Sequence, residues 1–356
     1  MKITFVLPGS SIRKPIGGFK VVYEYANRLS ERGHQVKIVH PFLLSPQETR
    51  FKQKIRMYAL WMKNYFLGSI KLKWFDLSPK VEMLFVATLE EENLPKGDVI
   101  VATAWQTAEW VNAYGKDKGE KYYLIQDFYP WLGPKQRLEA TWRGPFIKIA
   151  VSHWLSEKVI QAGGKDVVVI PNGIDHQTFR PLVNFSDRLP RVSMLFSPVN
   201  YKASSDGLNA LEICKENYPE LIASLFGPSS LFRTIPDWVT YQKNLPTVRL
   251  VELLNKSRIY LCSSVAEGFA FPPAEAMACG CAVVSTDCGG ILEYAKHEVN
   301  ALLSPPEDPQ SLARNILRLL KDDDLRVRLA KAGCEQIQKF TWDQAVTKFE
   351  QVLVKD

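Results

Sequence analysis

Short apolar runs alternate with helix-spaced segments along almost the whole chain. The runs Ile3–Leu7, Val36–Val39, Val81–Val86, Val99–Ala102, Tyr122–Ile125, Ile147–Val151 and Val167–Ile170 have strand length and strand composition. Between the first two, Val22, Tyr25, Ala26 and Leu29 fall on one face of a helix over Phe19–Arg32, and Gly33 supplies a stop. A second series follows: Val192–Phe196, Leu221–Phe226, Ile259–Cys262, Ala282–Ser285 and Ala301–Leu303. Helices are expected at Asp206–Glu216, Val248–Asn255, Pro273–Cys279 and Pro309–Lys321. Two closing helices cover Leu325–Lys339 and Trp342–Val354. Continuous apolar strands separated by helices predict parallel sheets covered on both faces, joined by right-handed crossovers.

The irregular polar stretch after Pro171-Asn-Gly-Ile-Asp175 divides the two series. The expected fold is α/β, with two doubly wound Rossmann-like domains facing a central cleft. The first spans residues 1–180 and the second 181–340; residues 341–356 form a helix that returns to the first domain. Ligands of such sheets bind beyond the carboxyl ends of the strands.

The 356 residues suit two domains, and 46% hydrophobic with 23% charged residues is ordinary for a globular protein. The first residues read as a strand rather than a leader peptide, and no apolar run is long enough to span a bilayer. Six cysteines, all in the second half, form no C-x-x-C pair, which argues against structural zinc and for a reducing, cytoplasmic setting. The net charge of +7 is uneven. Arg50 to Lys73 carries seven cations and no acid among interleaved aromatics, compatible with peripheral contact on an anionic membrane face or with a surface helix pair packed on the first sheet. No nucleic-acid motif accompanies it.

Candidate chemistry centres on Glu267-Gly-Phe-Ala-Phe-Pro-Pro-Ala-Glu275. Pro272 and Pro273 suit the first turn of a helix, which places Glu267 on the preceding loop and Glu275 within that first turn. Carboxylates beside a helix start could take sugar hydroxyls while the helix end takes a diphosphate; equally, they could be a loop acid and a dipole-complementing acid. Gly17-Gly18 lies between a strand and a helix, open to phosphate contact or to a plain turn, and lacks the full G-x-G-x-x-G pattern. Lys202 follows the strand Val192–Phe196, as a solvated lysine or as the counter-charge of a diphosphate. Gly289-Gly290 is either a turn or a point of close approach. Asp322-Asp-Asp324 precedes a helix and reads as a cap rather than a metal cluster.

Together these stretches resemble glycosyltransferase family 4. Ser263 to Gly280 resembles its E-x7-E signature; Thr286-Asp-Cys-Gly-Gly290, Asn300-Ala-Leu-Leu, Asp308-Pro, Phe340-Thr-Trp342, Gly17-Gly18 with Arg32-Gly-His34, and Pro171 to Asp175 are similar to other family segments. The resemblance implies a GT-B fold and retaining, metal-independent transfer from a nucleotide-diphosphate sugar to a carbohydrate or lipid-linked acceptor, with no bound cofactor. It implies that Glu275 binds ribose hydroxyls and Glu267 faces the donor sugar. It further implies that Gly268, Phe269, Ala270 and Phe271 offer backbone N–H groups, and that Lys202 and Gly18 meet phosphate. Two positions depart from the family pattern: Ser197 stands where an arginine is common, and Asp127 where a histidine near the sugar is common, so Asp127 becomes the candidate polar partner of the first half. The departures also leave a non-catalytic sugar-nucleotide or glycan-binding subunit as the alternative.

Overall fold

A computed structural model describes residues 1–10, 16–44, 72, 74–128 and 134–354. Among these, Val99–Ala102 is buried at every position and so is Ala282–Thr286, as expected of strands covered on both faces. The chain divides into two compact units, Met1–Pro171 with Trp342–Asp356, and Asn172–Thr341.

The first unit carries a parallel sheet ordered β3-β2-β1-β4-β5-β6-β7. Its strands are β1 (Lys2–Val6), β2 (Gln35–Pro41), β3 (Glu82–Val86), β4 (Val99–Ala102), β5 (Glu120–Ile125), β6 (Ile147–Ala150) and β7 (Val167–Val169). Helices α1 (Gly17–Glu31), α2 (Trp105–Ala113), α3 (Lys135–Arg143) and α4 (His153–Gln161) supply the crossovers among the described residues. The second unit carries a parallel sheet ordered β10-β9-β8-β11-β12-β13. Here β8 is Leu189–Leu195, β9 Ile222–Gly227, β10 Val239–Lys243, β11 Ser257–Cys262, β12 Ala282–Thr286 and β13 Leu302–Ser304. Its helices are α5 (Ser204–Asn217), α6 (Thr247–Asn255), α7 (Phe271–Ala278), α8 (Pro309–Lys321) and α9 (Asp323–Ile337). The strand order reverses between β1 and β4 in one sheet and between β8 and β11 in the other. In each sheet taken by itself, the switch point lies at the carboxyl ends of its strands, where ligands of such sheets bind.

The last helix, α10 (Trp342–Leu353), packs with the first unit. Phe349 lies 6.0 Å from Phe5 and 4.4 Å from Tyr25, ring to ring, and Trp342 meets Tyr25 edge-on. At its outer face, Glu350 takes Arg32 and His34, each at 2.7 Å. The units divide at 171/172 rather than at 180/181, because 172–182 is tied into the second unit. Ile174 donates its N–H to the Phe340 carbonyl, and Asn255 bonds Arg180 and Leu182.

Strand β10 was not expected from the sequence. Its residues Val-Thr-Tyr-Gln-Lys are mostly polar because it is an edge strand, paired only to β9. Helix α7 starts two residues earlier than expected, so Glu275 falls in its second turn, not its first. Asp322 caps α9, accepting the Leu325 N–H at 2.9 Å. All six cysteines are free; five are buried and Cys334 is half-buried. The basic stretch Arg50 to Lys73 lies outside the described residues except for Leu72, and no helix among the described residues is long and apolar enough to cross a membrane.

His40, at the end of β2, sits among Phe19, Tyr23 and Phe85, with Nδ1 on the Gly9 carbonyl at 3.0 Å and Nε2 without a partner among the described residues. Burial pushes its imidazole down from 6.5 to about 4. The unfolded chain therefore takes up this proton first as pH falls. The stability held by neutral His40 is present above pH 6.5 and is lost on the way to pH 4, by roughly 3 kcal/mol. Urea denaturation across this range should show His40→Phe losing less stability than the parent protein by about that amount; equal slopes would contradict the assignment.

Candidate functional site

Two loops leave the second sheet on either side of its switch point, one after β8 and one after β11. The first brings Lys202 and the second Glu267. The Lys202 Nζ donates to Glu267 Oε1 at 2.5 Å, and Ser264 Oγ donates to the same oxygen at 2.7 Å. Both charges are largely out of water, with side-chain exposures of 18% for Lys202 and 9% for Glu267. Burial pulls the Lys202 ammonium down, but the Glu267 carboxylate, with Tyr201 and Cys262 nearby, more than reverses this, and the net shift is upward. Lys202 is thus held firmly protonated.

Backbone contacts fix both loops. Val265 donates its N–H to the Tyr201 carbonyl at 2.7 Å, and Ser263 Oγ donates to the Lys202 carbonyl at 3.0 Å. Ala203 adopts the left-handed conformation, φ 42°, turning the chain from Lys202 directly into α5. On the other side Glu267 donates its N–H to Cys288 at 2.8 Å and accepts that of Gly290 at 2.9 Å. A Cβ at Gly290 would lie 2.2 Å from the Gly268 carbonyl oxygen and 2.5 Å from that of Glu267. Only glycine permits this approach, so Gly289-Gly290 is a point of close packing against the acidic loop.

Past Glu267 the chain turns through Ala270, left-handed at φ 61°, whose carbonyl is pinned by the Tyr294 hydroxyl at 2.5 Å. Phe269 is buried among Phe271, Tyr294 and Phe340. The sequence places anion-receptive donors at the start of α7, yet Pro272 and Pro273 occupy its second and third positions and have no N–H. Instead the N–H groups of Gly268, Phe269 and Ala270 find no acceptor among the described residues. These three donors directly follow Glu267 in the chain, the partner of the partly buried Lys202 ammonium, and successive free N–H groups are of the kind an anion can take.

Of the residues singled out from sequence, Lys202, Glu267 and Gly268 to Phe271 come together. A small cavity is lined by Lys202, Cys262, Ser263, Ser264, Glu267 and the two prolines; Glu275, half-buried a turn along α7, is not part of that lining. Ser197 is buried, and its N–H donates to Ser204 Oγ at 2.9 Å. Sequence reasoning missed Ser263, Ser264, Thr286 and Tyr294. Thr286 Oγ1 donates to the Ser264 carbonyl. The available signal was a serine pair directly after a buried strand, where hydroxyls meet the crevice.

In the first unit Gly17 and Gly18 open α1, and a Cβ on Gly18 would lie 3.4 Å from the Gln126 carboxamide. Gln126 and Asp127 follow β5, so these residues share the carboxyl edge of that sheet. Packing round Asp127 pushes its carboxyl upward, but the residue is exposed and solvent opposes that push.

Residues 201–336 match the family model of the glycosyl transferases, group 1. An uncharacterised glycosyltransferase of Methanocaldococcus jannaschii is 30% identical over 131 residues, 34% of this chain and 37% of the relative. The N,N'-diacetylbacillosaminyl-diphospho-undecaprenol alpha-1,3-N-acetylgalactosaminyltransferase of Campylobacter jejuni is 34% identical over 91 residues, 26% of this chain and 24% of the relative. The alignments thus span well under half of these relatives. HepE of Anabaena, solved in complex with UDP-glucose, superposes with a TM-score of 0.72 at 20% identity, over 99% of each chain. Likeness at that identity bears on the fold, which is that of GT-B glycosyltransferases with two Rossmann-like domains.

Removing one partner of a buried ion pair strands the other charge. Glu267→Leu should cost about 3–5 kcal/mol, and the double change Lys202→Met with Glu267→Leu should recover most of it. Chemical denaturation checks this; a double variant no more stable than the single would contradict the pairing.

Proposed function

We propose that this protein is a retaining, metal-independent glycosyltransferase. It takes a nucleotide-diphosphate sugar in its second unit and transfers the sugar to a carbohydrate or lipid-linked acceptor. The observation that carries this reading is the partly buried Lys202 ammonium on Glu267, followed in the chain by the N–H groups of Gly268, Phe269 and Ala270 that find no acceptor among the described residues, at the switch point of a doubly wound sheet. That arrangement suits a diphosphate. The match of residues 201–336 to the glycosyl transferases, and a structural neighbour solved with UDP-glucose, support it. The lipid-linked acceptor class rests on the relative named for a diphospho-undecaprenol substrate.

In this reading the diphosphate draws the Lys202 N–H groups away from Glu267, whose freed oxygen then accepts a hydroxyl of the donor sugar. The bond from the anomeric carbon to the diphosphate oxygen breaks, and the acceptor oxygen bonds to that carbon on the same face. The acceptor's proton passes to the departing phosphate oxygen. Lys202 and the loop N–H groups stabilise the charge that grows on the leaving group. Glu275 accepts the ribose hydroxyls. Gly17 and Gly18, at the carboxyl edge of the first sheet, contact the donor's phosphate, Asp127 at the same edge is the polar partner near the donor sugar, and the protein works in the cytoplasm.

A panel of uridine, guanosine, adenosine and thymidine diphosphate sugars should raise the melting temperature with one clear preference. For the preferred donor, Glu275→Ala should weaken affinity roughly 10- to 100-fold, the worth of charge-assisted hydrogen bonds. Unaltered affinity in that variant, or a flat response across the panel, would count against the reading.

A further inference from the structure

The amino ends of β5, β6 and β7 lie on the opposite edge of the first sheet from Gly17, Gly18 and Asp127. The loops there enclose an open cavity of about 730 Å3. Five cations line it: Lys116, Lys121, Arg143, Lys148 and Lys165, against two carboxylates, Glu120 and Asp166. Three of the cations are anchored by neutral groups. Lys121 Nζ donates to the carbonyls of Asn112 at 2.8 Å and Tyr114 at 2.6 Å, and Arg143 donates to that of Ala162 at 2.9 Å. Lys148 is 2% exposed, and its Nζ donates to the carbonyls of Phe146 at 2.8 Å and Gly144 at 3.1 Å. Carbonyls orient these heads without cancelling their charge, and an ammonium has a third donor to give. Lys116 and Lys165 are exposed and make no ion pair among the described residues.

Burying an ammonium without a bonded carboxylate is costly. Burial accordingly lowers the Lys148 ammonium from its ordinary value, with Asp166 opposing the shift. An anion in the cavity would offset that cost. The surplus of cations suits a multiply charged ligand, and lysine binds phosphate as a point charge. The lining also includes Tyr114 and Phe146, both buried, and the exposed Pro145.

We propose that this cavity is a binding site for a phosphate-bearing anion, either a free phosphate compound or the headgroup of an anionic lipid. It lies in the first unit and is separate from the Lys202–Glu267 loops, so the inference stands whether or not the donor reading holds. Hydrogen exchange on the intact protein locates binding by segment. Inorganic diphosphate is one probe; vesicles of phosphatidylglycerol in phosphatidylcholine, against phosphatidylcholine alone, are the other. The expected result is slower exchange in residues 114–121, 143–148 and 163–166 with at least one probe. The exposed double variant Lys116→Glu with Lys165→Glu should bind that probe at least about tenfold more weakly, with an unchanged melting temperature. Protection by diphosphate alone assigns a free anion; protection by the anionic vesicles alone assigns a headgroup. Protection confined to residues 199–204 and 263–275, no protection with either probe at millimolar concentration, or equal protection in the double variant would overturn the proposal.

Discussion

A lysine and a glutamate held together out of water set the terms for the second unit. Lys202 and Glu267 arrive on loops from β8 and β11, the two strands that flank the reversal of strand order. A charge in that position is tolerable only while it is paired. The surrounding architecture reads as the means of keeping it so. Ser264 shares the carboxylate oxygen, Ser263 and Val265 lock one loop to the other, and Gly290 admits the acidic loop at backbone distance. In the proposed reading, an incoming diphosphate would offer the ammonium a more highly charged partner.

The cost of this arrangement is visible in the backbone. Ala203 and Ala270 both adopt left-handed conformations that alanine disfavours, one just after Lys202 and the other just before α7. Each turns the chain from the site straight into a helix, and Tyr294 holds the second in place. The same turn leaves the N–H groups of residues 268–270 without an acceptor among the described residues, where a helix with two prolines at its start has few donors of its own. Two of the six left-handed non-glycine residues among the described residues thus lie on the loops that carry Lys202 and Glu267.

Much of this was legible in the sequence, and what was not has physical causes. Buried parallel strands such as Val99–Ala102 and Ala282–Thr286 announce themselves, because both faces are apolar. Strand β10 does not, because an edge strand can be polar and still pair. The acid pair Glu267 and Glu275 drew notice through spacing and family likeness, but only the fold shows Lys202 against Glu267, 65 residues apart in the chain. Ser264 and Thr286 carry no spacing signal; their roles follow from where β11 and β12 end. The amino-edge cavity of the first unit escaped notice because its cations come singly from separate loops rather than as a basic run.

The most direct test is a crystal structure with a nucleoside diphosphate bound. The account expects the diphosphate within hydrogen-bonding distance of the Lys202 Nζ and of the backbone N–H groups of residues 268–270, with the Lys202–Glu267 contact lengthened or broken. A nucleotide bound elsewhere on the chain, with Lys202 still seated on Glu267 and those N–H groups untouched, would contradict it.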